Sequence, residues 1–132
     1  MSPIRMSRIE SAIRIVLDFY AAFNHHDVTG MMKLLSEDCV LETSGPVPDG
    51  AVYSGGKAIR GYWEEFLHDS PHARITIEET FGLGLRCLAL WKYEWEDADG
   101  EGKHIRGIQV FQVKEDLICR ISSYVKGSLE RN

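Results

Sequence analysis

Residues 55–96 read GGKAIRGYWEEFLHDSPHARITIEETFGLGLRCLALWKYEWE, and the spacing of their apolar residues changes period midway. Before the change, Ala58, Ile59, Tyr62, Trp63, Phe66 and Leu67 recur three and four residues apart, the stripe of an amphipathic helix. Ser70-Pro71 ends that helix, because proline disfavours the helical conformation of the residue before it. From His72 the period falls to two, and in a pleated strand successive side chains point to opposite faces. Cys87, Ala89, Trp91, Tyr93 and Trp95 then share one face, and Leu88, Leu90, Lys92 and Glu94 the other.

Outward toward the C-terminus, strand-like runs are predicted at about 72–81, 85–96, 104–113 and 117–126. Gly82-Leu83-Gly84, Asp99-Gly100 and Lys114-Glu115-Asp116 join them as short turns, so neighbouring strands pair antiparallel. Strict alternation puts Glu79 on the face of Ile75, Ile77 and Phe81, and turns Arg106 outward with Ile108 and Val110.

Toward the N-terminus, Ser7 and Glu10 have the spacing of a capping box. Ile9, Ile13, Val16, Leu17, Tyr20 and Phe23 continue a helical stripe, predicting a helix from about Arg8 to Asn24. Asn24-His25-His26 is the corner of a helical hairpin. Asp27 caps a second helix with Val28, Met31, Met32 and Leu35 inward, which Ser36-Glu37-Asp38 ends. Cys39 to Thr43 is a short strand, and the two prolines of Ser44–Gly50 exclude regular ladder pairing there. Helix, helix, strand, helix and four longer strands make an α+β layer fold: three helices on one face of a curved mixed or antiparallel β-sheet.

A chain of 132 residues, 44% hydrophobic and 27% charged, is one ordinary globular domain spanning 1–132 rather than a disordered segment. Such a chain buries about two-thirds of its unfolded surface. Fifteen basic residues against twenty acidic ones give a net charge of -5, which disfavours nucleic acid as a partner. Arg14 and Asp18 interrupt the apolar stretch Ile13–Phe23, so no membrane span is expected and the expected location is cytoplasmic. Cys39, Cys87 and Cys119 are odd in number and widely spaced, which suits reduced core thiols rather than a disulfide framework.

Phe23-Asn24-His25-His26-Asp27, Asp38-Cys39-Val40-Leu41-Glu42, the G-x-x-A-I-x-x-Y-W-x-x-F pattern from Gly55 to Phe66, and Arg106-Gly107-Ile108-Gln109-Val110-Phe111 together resemble a known family. The chain, over about residues 8–126, is similar to the SnoaL-like branch of the nuclear transport factor 2-like superfamily, relatives of ketosteroid isomerase, polyketide cyclase and limonene epoxide hydrolase. The resemblance implies a cone-shaped half-barrel whose helices close over an apolar cavity, commonly a homodimer through the outer sheet face. It implies no single reaction, because this fold hosts enzymes, binders and docking modules.

Carried over residue by residue, the three polar positions of the isomerases fall on Phe19, Thr43 and Gln109. Phenylalanine cannot donate, threonine is too weak a base, and glutamine offers no acidic proton near neutral pH. The cyclases carry an aspartate where Gln109 stands, and the epoxide hydrolases one where Ser123 precedes Tyr124. Three mechanisms lack their carboxylates, so whether the chain is an enzyme stays open.

Gln109 between Ile108 and Val110 is either a hydrogen-bond anchor for a ligand or a structural amide tied to Thr43, Ser123 or water. Trp63, Trp91, Tyr93 and Trp95 either wall a cavity or pack a core. Phe19, Thr43, Gln109 and Ser123 complete the candidate ligand-binding set. His25, His26, His68, His72 and His104 lack metal-ligand spacing, Cys87 has no histidine neighbour to activate it, and no metal or other cofactor is expected. Glu42 points away from Thr43, as an outer-face charge, while Glu79 is a candidate base if it faces the cavity.

Two functional readings follow. One is a small-molecule-binding protein for a compact, apolar, ring-containing ligand, with isomerase-, cyclase- or hydrolase-type catalysis open. The other is a non-catalytic dimerisation or protein-interaction module working through the second apolar row, Leu88, Leu90, Ile108 and Val110.

Overall fold

The computed structural model describes the backbone of residues 3–127 and the side chains of residues 11–127. The elements are α1 (Pro3–Asn24), α2 (Val28–Met32), β1 (Leu35–Glu42), β2 (Val52–Ser54), α3 (Gly56–Asp69), β3 (Arg74–Leu83), β4 (Arg86–Glu96), β5 (Gly102–Lys114) and β6 (Leu117–Val125). The α+β reading holds: three helices pack on one face of a curved, unclosed six-stranded sheet of order β2-β1-β6-β5-β4-β3. No described helix is long and apolar enough to cross a membrane.

Several boundaries differ from the sequence reading. Helix α1 begins at Pro3, upstream of the expected Arg8, and the Ser7 and Glu10 side chains lie outside the described residues. Asp27 does cap α2, its Oδ1 accepting from the Gly30 N–H at 2.9 Å, but the helix ends at Met32. Leu35, expected on its stripe, already belongs to β1. The β1 ladder explains this: Leu35 pairs with Ile118 of β6, and partnered backbone outweighs a short helical stripe. Strand β2, which the sequence reading lacked, pairs antiparallel with β1 through Val40–Ser54 to Glu42–Val52.

The β3–β4 and β4–β5 pairs are antiparallel as expected, whereas β1 and β6 run parallel, so the sheet is mixed. Alternation holds along β4: Cys87, Ala89, Trp91 and Tyr93 are buried under the helices, and Leu88, Leu90, Lys92 and Glu94 face outward, half-buried. It fails in β3. Ile77 pairs with Trp91 but Glu79 with Leu90, so Glu78 is an extra residue and the strand changes face there. Glu79 and Phe81 therefore lie on the outer side, opposite Leu90 and Leu88, and Glu79 is exposed. This corrects its candidacy as a cavity base.

Asn24 ties the end of α1 to β3. Its Nδ2 donates to the Ile75 carbonyl at 2.8 Å, and the Ile75 N–H donates to its Oδ1 at 2.7 Å. On the outer face Arg106 bridges to Glu78 at 3.0 Å and Arg120 to Glu42 at 2.9 Å, the outward placements expected of Arg106 and Glu42.

Candidate functional site

Between the helices and the inner sheet face lies a narrow slot of about 50 Å³. Phe23 of α1, Tyr62, Trp63 and Phe66 of α3, and Trp91 and Tyr93 of β4 form its aromatic wall. Leu41, Ile75 and Val125 add aliphatic surface, and Thr43, Ser44, Gln109 and Ser123 the polar lining. A water needs about 10–15 Å³ of such space, so the slot has room for only a few waters. Thr43, Ser44, Ser123 and Val125 also border a wider cleft of about 250 Å³ under the proline loop, where Glu42, Pro48, Asp49 and Tyr124 stand.

The wall follows from two periodicities. On α3, residues 62, 63 and 66 lie on neighbouring helical positions, and on β4 residues 91 and 93 alternate inward. Trp91 is seated over Gly107: a Cβ there would lie 2.7 Å from the indole Cη2 and 2.6 Å from the Tyr124 carbonyl oxygen. Trp63 is held by edge-on contacts to Phe19 and Phe23, with centroids 6.1 and 5.8 Å away.

Gln109 is held at both ends of its amide. The Tyr20 hydroxyl donates to its Oε1 at 2.6 Å, and its Nε2 donates to Ser123 Oγ at 2.8 Å. Of the two sequence readings, the amide is thus tied within the protein, to Ser123 as considered and to Tyr20, which sequence reasoning missed. Thr43 is not its partner: the Thr43 hydroxyl donates to the Gly45 carbonyl at 2.8 Å and accepts from the Ala51 N–H at 3.2 Å. The polar position of α1 carried over from the isomerases falls on Phe19, but the side chain that reaches the sheet is its neighbour Tyr20. Phe19 is 1% exposed and packs on Trp63 and Phe111 outside the slot lining. The available signal was Tyr20 itself, three residues before Phe23 on the same stripe.

Trp95 also stands apart, stacked on Tyr93 at 5.2 Å but bordering surface grooves near His72. The slot gathers Thr43, Trp63, Trp91, Tyr93, Gln109 and Ser123 from the sequence candidates, and adds Phe23, Tyr62 and Phe66, which the sequence reading had left as helix stripe.

Burial pushes the Tyr20 phenol well above its ordinary 10.0, with the Cys87 thiol adding to the effect. Tyr62 is raised by burial first and by Tyr53 and Tyr93 after it. Neither phenol is a base near neutral pH. Burial raises Cys87 from 9.0 and Cys39 to about 12, which suits inert core thiols. No carboxylate lines the slot among the described residues; Glu42 and Asp49 border only the outer cleft. No described group of histidine, cysteine and acidic residues has the arrangement of a metal site. His26 instead bonds the Ala73 carbonyl through Nε2 at 3.1 Å.

Two polar atoms in the wall have no hydrogen-bond partner among the described residues, the indole nitrogens of Trp63 and Trp91. Buried tryptophan N–H groups usually find an acceptor, and an orphan costs about 1–3 kcal/mol.

Comparison with known proteins gives a consistent picture. A family model described as a SnoaL-like domain matches residues 16–121. Among solved structures, an NTF2-like protein of unknown function from Mesorhizobium loti is 34% identical, with 91% of this chain and 94% of that one covered and a TM-score of 0.77. A protein described as a polyketide cyclase from Xanthomonas campestris pv. campestris is 23% identical over 89% of this chain and 92% of its own, with a TM-score of 0.74. TerC, crystallised with polyporic acid, is 15% identical over 88% and 92%, with a TM-score of 0.77. At those two lower identities the likeness is one of fold. No curated protein matches the chain.

Proposed function

The chain belongs to the SnoaL-like domain family, and from that premise we propose that it binds a compact, flat, ring-containing small molecule in the aromatic slot. The observation that carries this is the convergence of six aromatic side chains from α1, α3 and β4 on one slot whose polar lining is confined to four residues. Apolar walls with a few placed polar groups are the usual make-up of a ligand site. The slot is narrow, so a ring enters by spreading Tyr62 and Phe66, the two half-buried side chains of its wall. TerC, crystallised with polyporic acid, is a precedent for ligand capture on this fold.

The site binds rather than moves protons. The family's cyclase and isomerase chemistry uses a carboxylate or carboxylic acid, and at the position carried over to Gln109 this chain has an amide held by Tyr20 and Ser123. Intrinsic tryptophan fluorescence, titrated with neutral steroid-like, terpenoid and polyketide-like ring compounds, tests this reading. Saturable quenching is expected for the compact members, and a flat response across all three classes refutes it.

A second reading, compatible with the first, is a homodimer through the outer sheet face. Phe81, Leu83 and Tyr124 are 52, 75 and 59% exposed around the half-buried row of Leu88, Leu90, Ile108 and Val110. A continuous apolar face of this kind favours a second copy over water. Light scattering at micromolar concentration checks it, and a strictly monomeric mass removes it.

A further inference from the structure

The cleft under the proline loop has a different chemistry from the slot it adjoins. Thr43, Ser44, Ser123 and Val125 border both, so the two cavities meet at the C-terminal ends of β1 and β6. A ring held in the slot can therefore carry a substituent past those residues into the cleft. The slot is walled by aromatic rings, whereas the cleft, at about 250 Å³, is bordered by the Glu42 and Asp49 carboxylates and by the hydroxyls of Ser44, Ser122 and Ser123. Val47 and Pro48 add apolar surface on its loop side.

The cleft offers both acceptors and donors. Glu42 Oε2 takes the Arg120 guanidinium at 2.9 Å and the Ser122 hydroxyl at 3.3 Å, while its Oε1 and both Asp49 oxygens take no bond among the described residues. The Ser44 hydroxyl makes none there either, and the Ser123 hydroxyl, which accepts from Gln109, keeps a proton to give. Glu42, Ser44 and Ser123 are half-buried and Asp49 is exposed, so water serves these groups until a ligand displaces it. What replaces that water without loss must both give and take hydrogen bonds. An ammonium only donates, and a phosphate or carboxylate only accepts. Arg120 already balances the charge of Glu42, and no lysine or arginine borders the cleft to meet an anion. A neutral polyol gives and takes at every hydroxyl, and the C–H face of a pyranose suits Val47 and Pro48.

We propose that the cleft under residues 44–50 holds a neutral sugar ring, so that the ligand of this chain is a glycoside with its aglycone ring in the aromatic slot and its pyranose beside Glu42, Asp49 and the serines. This rests on the binding reading above, and the experiment separates the two.

The probes are 2-naphthol, 2-naphthyl β-D-glucopyranoside, 2-naphthyl phosphate and 2-naphthylmethylammonium, which share one flat bicyclic ring and differ in the group beyond it. Affinity is read by calorimetry, and the place of that group by proton–nitrogen correlation spectra of the ¹⁵N-labelled protein. The glucoside is expected to bind about tenfold more tightly than naphthol, and the phosphate more weakly than naphthol. The backbone amide signals of Val47 and Asp49, which border the cleft alone, should move with the glucoside and stay in place with naphthol. Asp49→Ala, on the exposed loop, should weaken the glucoside by about threefold or more and leave naphthol unchanged. A glucoside no tighter than naphthol, or one that leaves the Val47 and Asp49 amides unmoved, overturns the sugar assignment while the binding reading stands. Tightest binding by the ammonium or the phosphate overturns it as well, in favour of a charged group. Failure of all four probes overturns both.

Discussion

Replacing Gln109 by leucine, of similar size, removes both ends of the amide bridge, and its cost can be worked from the two bonds. The Tyr20 hydroxyl, on a residue 3% exposed, loses the acceptor it reaches at 2.6 Å and has no route to water. That orphaned donor costs about 1–3 kcal/mol, whereas Ser123, half-buried at the slot's edge, can rehydrate for about 1 kcal/mol or less. Gln109→Leu should therefore destabilise the fold by about 2–3 kcal/mol, or about 6–15 °C in Tm for a domain of this size. Tyr20→Phe alone strands Gln109 Oε1, at about 1–2 kcal/mol. In the double variant two apolar groups meet, so its loss should fall about 2 kcal/mol short of the summed single losses. Urea unfolding followed by tryptophan fluorescence, with the slope m unchanged across the set, measures all four proteins. Losses that add to within about 0.5 kcal/mol refute a direct Tyr20–Gln109 bond.

Other outcomes follow from the same structure. Gly107→Ala forces a Cβ against the Tyr124 carbonyl and the Trp91 ring, so a loss of about 1–3 kcal/mol and a shifted tryptophan emission maximum are expected. Asn24→Ala removes both bonds to Ile75 and should cost about 1–3 kcal/mol, read by thermal unfolding. Cys39 has a folded pKa raised by burial from 9.0 to about 12, so both states keep the thiol proton well below pH 9 and its contribution to stability is constant there. Between pH 9 and 12 the unfolded chain releases that proton first, so stability should fall as pH rises, less steeply in Cys39→Ala. Leu88→Arg puts a charge in the centre of the outer apolar row and should abolish the dimer proposed above in light scattering while costing the folded monomer no more than about 1 kcal/mol of stability.

The parts of the molecule built from local repetition were legible in the sequence. The helical spacing of Tyr62, Trp63 and Phe66, the two-residue alternation of Cys87 to Tyr93, and Asp27 as a cap are set by neighbours along the chain, and each stands where its pattern put it. The inward aromatic row of β4 follows from alternation, and the absence of the family's carboxylates from residue identity, whereas wall and core were not distinguished until the helices were placed.

What the sequence left open depends on partners far apart in the chain. The extra residue at Glu78 carries no pattern of its own; it exists because Ile77 and Glu79 must both find places opposite β4, and it moves Glu79 from the cavity side to the outer face. Strand β1 begins at Leu35 because Ile118 pairs with it. The choice between Phe19 and Tyr20 is one helical step, about 100°, and only packing α1 against the sheet decides which of two adjacent buried rings reaches Gln109, 89 residues away. Periodicity fixes which face of an element is apolar, while the partner of each polar group on that face is a three-dimensional fact, set by which strands pair and where a helix comes to rest.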